Sequence, residues 1–197
     1  MPSAPKAPDP KEISFRRLEV RDLPLMYHWL NENPLVNDMF AHGRPVVYEE
    51  MAATYTARIR REKPTEPYLI LCGGAPIGYI QTYLWRDYPE YSCHLNLREE
   101  AASLDLFIGE EDYLHEGLGR PILQAFLRQI VFADRSVASC VITPEVRNEG
   151  ALRAYEKAGF RRLRLMDDHP DEEQPIMLMR IGREEIVPVP PEGCRQV

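Results

Sequence analysis

Apolar residues recur along the chain with two periods, and each period predicts a different kind of element. "ISFRRLEV" (13–20) alternates apolar and polar positions, which is typical of a strand with one buried face. "LPLMYHWLN" (23–31) follows with a helical repeat, and Asp22 stands before it in the position of an N-cap. A second amphipathic helix is predicted at "YEEMAATYTARIRRE" (48–62).

The middle of the chain contains more strand patterns. "PYLILCGGAPIGYIQTYLW" (67–85) has two apolar runs around "GGAP", which favours a hairpin. "SLDLFIG" (103–109) is a further strand, and it leads into "LHEGLGR" (114–120). The helix that begins there has an apolar stripe made of Leu118, Ile122, Leu123, Phe126, Leu127 and Ile130.

The last part of the chain predicts a strand, a helix and a closing hairpin. The strand is "ASCVITPE" (138–145), and the helix "EGALRAYEKAG" (149–159) stops at its terminal glycine. The hairpin joins "FRRLRLM" to "PIMLMRI" across an acidic turn. The resulting order, β-α-α-β-β-β-α-β-α-β-β, indicates one α+β domain without an internal repeat.

The length of 197 residues suits a single domain, and the composition at the two ends sets its expected limits. Residues 1–12 have prolines at positions 2, 5, 8 and 10 and no apolar run, so we expect a disordered tail. Residues 13–182 form the predicted domain, and 183–197 an irregular C-terminal tail. Neither a signal peptide nor an apolar span is evident, so we expect a cytoplasmic protein without a membrane partner.

Charge and cysteine usage narrow the classes of partner. The formal net charge is −7, and acidic residues cluster in turns such as 110–112 and 167–173. This argues against nucleic acid, which requires basic patches, and suits a cationic small molecule, although solvated acidic loops are an equal explanation. The four cysteines and five histidines lack metal-ligand spacing, so we expect free thiols and no metal.

The stretch "LHEGLGR" raises a question because each glycine at a helix start costs conformational entropy. Either a tight turn requires Gly117 and Gly119, or an anion approaches the backbone at the helix N-terminus. The spacing does not match a Rossmann or P-loop motif. A pyrophosphate cradle and a plain turn both remain open on this pattern alone.

The motifs resemble those of the Gcn5-related N-acetyltransferase (GNAT) superfamily. "LHEGLGR" resembles a motif with the pattern Gln/Arg-x-x-Gly-x-Gly/Ala, and "NEGALRAYEKAGF" (148–160) resembles the motif that follows it. The likeness extends from about residue 14 to residue 181, above all to aminoglycoside 6'-N-acetyltransferases. Lysine N-acyltransferases of siderophore biosynthesis are similar as well. The resemblance implies a GNAT fold, a mixed, mostly antiparallel central sheet flanked by helices.

The resemblance also implies acetyl-CoA as co-substrate. Its pyrophosphate would lie on the backbone N–H groups of the loop formed by His115, Glu116, Gly117, Leu118, Gly119 and Arg120. The pantetheine arm would pair with the strand at Phe107 and Ile108, and Asn148 would also contribute to this site. Leu114 departs from the motif by replacing Gln/Arg, and Glu116 places an acid beside the pyrophosphate.

Two residues are predicted to be catalytic. Tyr155 matches a tyrosine that similar enzymes place near the CoA sulfur, where an O–H donor helps the thiolate to leave. The alternative is that Tyr155 only completes an apolar helix face.

Asp105, the second candidate, is an acid within an apolar strand, where it needs a partner. The resemblance suggests the substrate amine, and a neighbouring arginine is the alternative.

The acceptor site is expected to include Tyr55, Gln81, Tyr83, Asp105 and Asp171. Thr143 stands where both related groups tend to carry an aspartate, and the siderophore enzymes carry histidine at the position of Asp105. The sequence therefore predicts acetyl transfer to a primary amine of a cationic small molecule, with an aminoglycoside 6'-amine first and a hydroxylysine-type siderophore precursor second. A non-catalytic acyl-CoA-binding module is the third alternative, and the protein is expected to be a monomer or a homodimer.

Overall fold

The sheet is the central feature of the computed structural model, which describes residues 9–167, 169–170 and 174–187. Its described strands are β1 (Ile13–Arg17), β2 (Glu66–Cys72), β3 (Ala75–Leu84), β4 (Ala101–Ile108), β5 (Ser139–Ile142), β6 (Arg161–Met166) and β7 (Ile176–Gly182). They lie in the order β1-β2-β3-β4-β5-β7-β6. Every neighbouring pair is antiparallel except β4 and β5, which are parallel. The predicted α+β fold with a mixed sheet is confirmed.

Helices cover both faces of this sheet. Those in the described part of the chain are α1 (Leu23–Glu32), α2 (Pro34–Ala41), α3 (Tyr48–Ile59), α4 (Pro89–Ser92), α5 (Gly119–Gln129), α6 (Glu149–Ala158) and α7 (Arg183–Ile186). Of these, α2, α4 and α7 were not predicted. In α2, Pro34 occupies the first turn and the Asn33 side chain caps the N–H groups of Leu35 and Val36, so the helix has a strong start despite its short length.

The segment after β1 differs from its prediction. The strand ends at Arg17, and Val20–Asp22 form a 3₁₀ turn. Asp22 does not cap α1 through its side chain. Its carboxylate instead accepts two hydrogen bonds from Arg16, at 2.9 and 3.0 Å, and one from the Glu19 N–H. A charged partner is a stronger donor than a helix N–H, so the carboxylate turns back toward β1.

The ordered structure extends beyond the predicted limits of 13 and 182. At the start, Pro10–Glu12 form a 3₁₀ turn, and the Glu12 carbonyl accepts the Gly73 N–H. At the end, the prediction of an irregular tail from residue 183 is wrong for α7, because Ile186 is buried in the core. Arg183 fixes this helix by donating to the Phe132 and Val137 carbonyls.

Alternate residues of the strands enter two different cores. Ile70, Ile80 and Leu104 belong to a large core with α5 and α6, whereas Leu69 and Tyr79 pack with α1 and α3 on the opposite face. The period of two along a strand explains this division. In the described part of the chain, no helix is both long and apolar enough to cross a bilayer.

The sheet opens between β4 and β5. On one side, β4 pairs with β3 from Ala102 to Ile108. On the other side, β4 pairs with β5 only at Ala101 and Ala102. The rest of the β4 edge therefore lacks a strand partner among the described residues, and a cavity begins where the two parallel strands separate.

Candidate active site

A cavity of about 440 Å³ lies at this opening. Its walls come from β3, β4, the segment after β5, α6, the end of α2 and α3. Among the residues that line it are Gln81, Tyr83, Asp105, Asn148 and Tyr155. The fold therefore brings five of the predicted site residues together from three separate parts of the chain: β3, β4 and α6 with its N-cap.

Asp105 faces Gln81 across the β3–β4 pair. The Gln81 Nε2 group donates to Asp105 Oδ2 at 2.7 Å. Gln81 Oε1 accepts from Arg58 at 2.9 Å and from the Tyr79 hydroxyl at 2.7 Å. The amide thus stands between the Arg58 guanidinium and the Asp105 carboxylate, where sequence alone suggested an ion pair or a substrate amine.

Tyr155 lies on α6 and is only 7% exposed, yet it contributes to the cavity wall. Its ring packs edge-on against Phe160 at a centroid distance of 5.5 Å. Burial, followed by the nearby Asp105 charge, raises the pKa of the Tyr155 phenol far above its ordinary value. The residue therefore packs in the core and also keeps its O–H proton beside the cavity.

Tyr55 lies outside the cavity wall. Its ring stacks under Arg58, with 5.0 Å from the guanidinium carbon to the ring centroid, and packs edge-on against Tyr79 at 5.4 Å. It lines a second depression, of about 350 Å³, between α3 and the segment that follows α2. Arg58, one turn further along α3, occupies the position toward the cavity that was predicted for Tyr55.

The glycine loop follows β4 after a short 3₁₀ turn, Glu111–Tyr113. His115 and Gly117 both have left-handed backbone, with φ of 64° and 74°. Left-handed residues in a short loop turn successive N–H groups inward, and such a concavity binds anions. His115, Glu116, Gly117 and Arg120 are exposed, whereas Leu118 is buried beneath the loop.

The two glycines are present for different reasons. Gly117 needs its positive φ, and a Cβ there would meet no heavy atom within 4 Å. A Cβ on Gly119 would lie 3.2 Å from the Cβ of Ala154, because α5 packs closely on α6. The turn therefore explains Gly117 and helix packing explains Gly119, while anion approach to this loop stays a prediction.

The open edge of β4 includes the two residues predicted to pair with pantetheine. The Phe107 side chain is buried against Trp29 and Phe40, with ring centroids 6.0 and 4.9 Å apart. Ile108 is partly buried against the other core. Because pairing would use the backbone, the burial of these side chains is compatible with the predicted contact.

Asn148 is the N-cap of α6. Its Oδ1 accepts the Ala151 N–H at 3.0 Å, and its Nδ2 donates to Met39 Sδ at 3.2 Å. Glu145, also in the cavity wall, pairs with Arg147, which reaches Asp38 of α2. Side chains of α2 thus meet the segment after β5 beside the cavity.

Several lining residues were not anticipated. They include Arg58, the α2-side residues Met39, Phe40 and His42, and an aromatic group of Trp85, Tyr88 and Tyr91. Trp85 and Tyr91 stack at 5.2 Å, and the Tyr91 hydroxyl meets Thr143 Oγ1 at 3.2 Å. Arg58 lies among Arg60 and Arg61 in sequence, so no local signal distinguishes it from surface charge.

Three further expectations concern Asp171, the cysteines and metal binding. Asp171 lies outside the described residues. Burial raises the pKa of the Cys140 thiol well above its usual range, which makes it a poor nucleophile. In residues 9–167, 169–170 and 174–187, no cluster of three or more His, Cys, Asp or Glu side chains could hold a metal ion.

The chain is similar to acetyltransferases in both sequence and structure. The family model described as an acetyltransferase (GNAT) domain matches residues 19–168. The aminoglycoside N(6')-acetyltransferase type 1 of Klebsiella pneumoniae is 25% identical over 150 residues, 76% of this chain and 74% of that protein.

Two solved structures extend the comparison. The aminoglycoside acetyltransferase AAC(6')-Ib in complex with coenzyme A and kanamycin is 26% identical, with a TM-score of 0.76, over 87% of this chain and 95% of that one. The spermidine N-acetyltransferase of Vibrio cholerae in complex with CoA and spermine is 16% identical, with a TM-score of 0.69. The match covers 89% of this chain and 98% of that chain, and it shows a likeness of fold.

Proposed function

Because the chain belongs to the GNAT acetyltransferase family, we propose that it transfers the acetyl group of acetyl-CoA to a primary amine of a cationic small molecule. An aminoglycoside 6'-amine is the first candidate. The observation that carries this proposal is the shared cavity of Asp105 and Tyr155 at the opening between β4 and β5. An acid for the amine and an O–H donor for a leaving group meet there.

The glycine loop and the open β4 edge fit the co-substrate. Backbone N–H groups from His115 to Arg120, with the N-terminus of α5, would hold the pyrophosphate. The edge of β4 beyond Ala102, which faces away from β3 and does not pair with β5, would hold the amide-containing arm. When bound, acetyl-CoA supplies an acetyl thioester. The glycine loop follows the end of β4 to which the open edge leads, and this arrangement supports the assignment.

Asp105 would bind the reacting amine. A carboxylate pairs with an ammonium ion in a partly enclosed site and can take its proton, directly or through water. Gln81 Nε2 donates to Oδ2 of Asp105, and the Asp105 side chain lines the cavity that would receive the amine. Only the unprotonated amine has a lone pair that can attack the thioester. Asp105 would therefore both hold the substrate ammonium group and remove its proton.

Tyr155 would stabilise the departing sulfur. Because its phenol pKa is raised, Tyr155 stays protonated across the pH range in which thiols, with an ordinary pKa of ~8.5, ionise. Its O–H group would therefore donate a hydrogen bond to the thiolate without losing its proton. The buried Cys140 offers no nucleophile, which supports direct transfer to the amine.

The relatives support aminoglycosides as the first acceptors to test. The Klebsiella protein is an aminoglycoside N(6')-acetyltransferase, and the net charge of −7 suits a cationic ligand. Glu145 adds a second carboxylate to the cavity wall. Thr143 bonds to Tyr91 where related enzymes tend to carry an acid, so we expect weaker binding of polycations than in those enzymes.

Thiol release from acetyl-CoA tests the proposal. The purified protein is assayed with aminoglycosides, polyamines, hydroxylysine-type precursors and peptides, and products are identified by mass spectrometry. A 6'-acetylated aminoglycoside is the expected product. Acetylation only of the lysine derivatives would favour the siderophore alternative. Binding of acetyl-CoA without thiol release, measured by calorimetry, would favour the non-catalytic module.

A further inference from the structure

Arg58 extends from α3 into the cavity wall, where a cationic acceptor would be expected to avoid it. It is held firmly: the guanidinium lies over the Tyr55 ring and donates to Gln81 Oε1 at 2.9 Å. Burial disfavours its charge, but the neighbouring Tyr79 and Tyr55 outweigh that effect and raise the pKa of Arg58. Arg58 is therefore a fixed cation whose described hydrogen-bond partner is a neutral amide.

The bonds around Gln81 determine which end of its amide faces Asp105. Two donors, Arg58 and Tyr79, converge on Oε1, so Nε2 is the end left to meet the carboxylate. The reversed amide would place N–H groups against both donors and an oxygen against the carboxylate. The contacts with Arg58, which can only donate, and with the Asp105 carboxylate, which can only accept, would then become repulsive, whereas the Tyr79 hydroxyl could turn and accept. These two mismatches favour the observed orientation.

We propose that Arg58 is a positioning residue for acetyl transfer, acting through Gln81. It holds the Gln81 amide so that Nε2 binds Oδ2 of Asp105 and orients this carboxylate in the cavity wall. This role rests on the proposed function of Asp105. Arg58 acts without contacting the acceptor, and the Tyr79 hydroxyl serves as its partner on the same Gln81 oxygen.

Kinetics of a double-mutant cycle test the route through Gln81. We expect Arg58→Met to lower kcat/KM for the amine by about threefold to tenfold, since a hydrogen bond to a charged group is weakened indirectly. The KM for acetyl-CoA should change less than twofold. In a Gln81→Ala background, Arg58→Met should have no further effect. Multiplicative losses would overturn the proposal, because they would mean that Arg58 acts independently of Gln81.

The matched control is Arg60→Met, which removes an exposed arginine two residues further along the chain. It should leave kcat, both KM values and the melting temperature unchanged. If Arg58→Met does not fold, Arg58→Lys keeps the charge and one donor direction but loses the planar guanidinium. Lysine should retain part of the activity, whereas a loss equal to that of Gln81→Ala would contradict a role for the positive donor.

A spectrum of the free protein decides the inference even if no amine is turned over. The side-chain amide signals of Gln81 are assigned in a ¹⁵N–¹H spectrum by their loss in Gln81→Ala. We expect them to move and to exchange faster with solvent in Arg58→Met, and to be unchanged in Arg60→Met. Unchanged Gln81 signals in Arg58→Met would overturn the proposal, whatever the outcome of the amine screen.

Discussion

Gly119 and Ala154 bring α5 and α6 so close together that a Cβ on the glycine would lie 3.2 Å from that of the alanine. Gly117, two residues earlier, has open space around its Cα and a φ of 74°. One glycine thus serves helix packing and the other serves loop conformation. This difference separates effects on stability from effects on co-substrate binding.

Gly117→Ala tests the loop as an anion site. Alanine resists a positive φ by about 1 kcal/mol, so the loop should relax and turn its N–H groups away from the site. We expect acetyl-CoA affinity measured by calorimetry to fall about tenfold, with the free energy of unfolding reduced by roughly that strain alone. Unchanged affinity in the folded variant would remove the loop from the binding site.

Gly119→Val should affect the stability of the fold rather than the conformation of the loop. The branched side chain would collide with Ala154, and overpacking of this kind costs about 1–3 kcal/mol. Chemical denaturation should show that loss even without acetyl-CoA. A variant as stable as the parent would show that α6 can move aside at no cost.

Tyr155→Phe should lower kcat by roughly 10–10³-fold while the KM for acetyl-CoA changes little, because a donor to a departing thiolate acts in the transition state. Since the pKa of Tyr155 is raised, the parent should show no loss of activity from its ionisation up to about pH 10, the ordinary pKa of tyrosine. The pH profile is measured where chemistry limits the rate. Equal turnover by both proteins would leave Tyr155 with a packing role only.

Asp105→Asn should abolish acetyl transfer to every accepted amine, because asparagine keeps the size of the side chain but neither pairs with an ammonium ion nor takes its proton. Acetyl-CoA affinity should be nearly unchanged. The measurement is kcat/KM for the amine against pH, beside calorimetry with acetyl-CoA. Normal turnover by the variant would place the acceptor site elsewhere in the molecule.

Asp22 links stability to acid pH. Burial tends to raise its pKa, but hydrogen bonds from Arg16 and the Glu19 N–H outweigh this and lower the pKa. Its contribution is thus present above the unfolded pKa of ~3.9 and is lost as pH falls through the lower folded value. Asp22→Asn should lower the free energy of unfolding by about 1–3 kcal/mol at pH 7. In denaturation experiments, the free energy of unfolding of this variant should then fall less steeply as the pH is lowered. The exposed Asp112→Asn is the control, and equal curves for the two variants would contradict this account.

Local patterns in the sequence were enough to predict most elements and the glycine loop. A period of two or 3.6 residues is a property of one segment, so β2, β3, α3 and α6 could be located from their own residues. The same holds for Asp105, whose charge is conspicuous within an apolar strand. The predicted roles of Asp105 and Tyr155 in catalysis await the experiments above.

Only the tertiary structure decided which side chains share the cavity. The β3–β4 register sets Gln81 opposite Asp105, and the packing of α3 directs Arg58 rather than Tyr55 toward them. The spacing of nearby residues predicts neither relationship, because Arg58 and Gln81 lie on different elements of the fold. Contacts between distant segments depend on how the elements pack, and a segment's own periodicity carries no information about its neighbour.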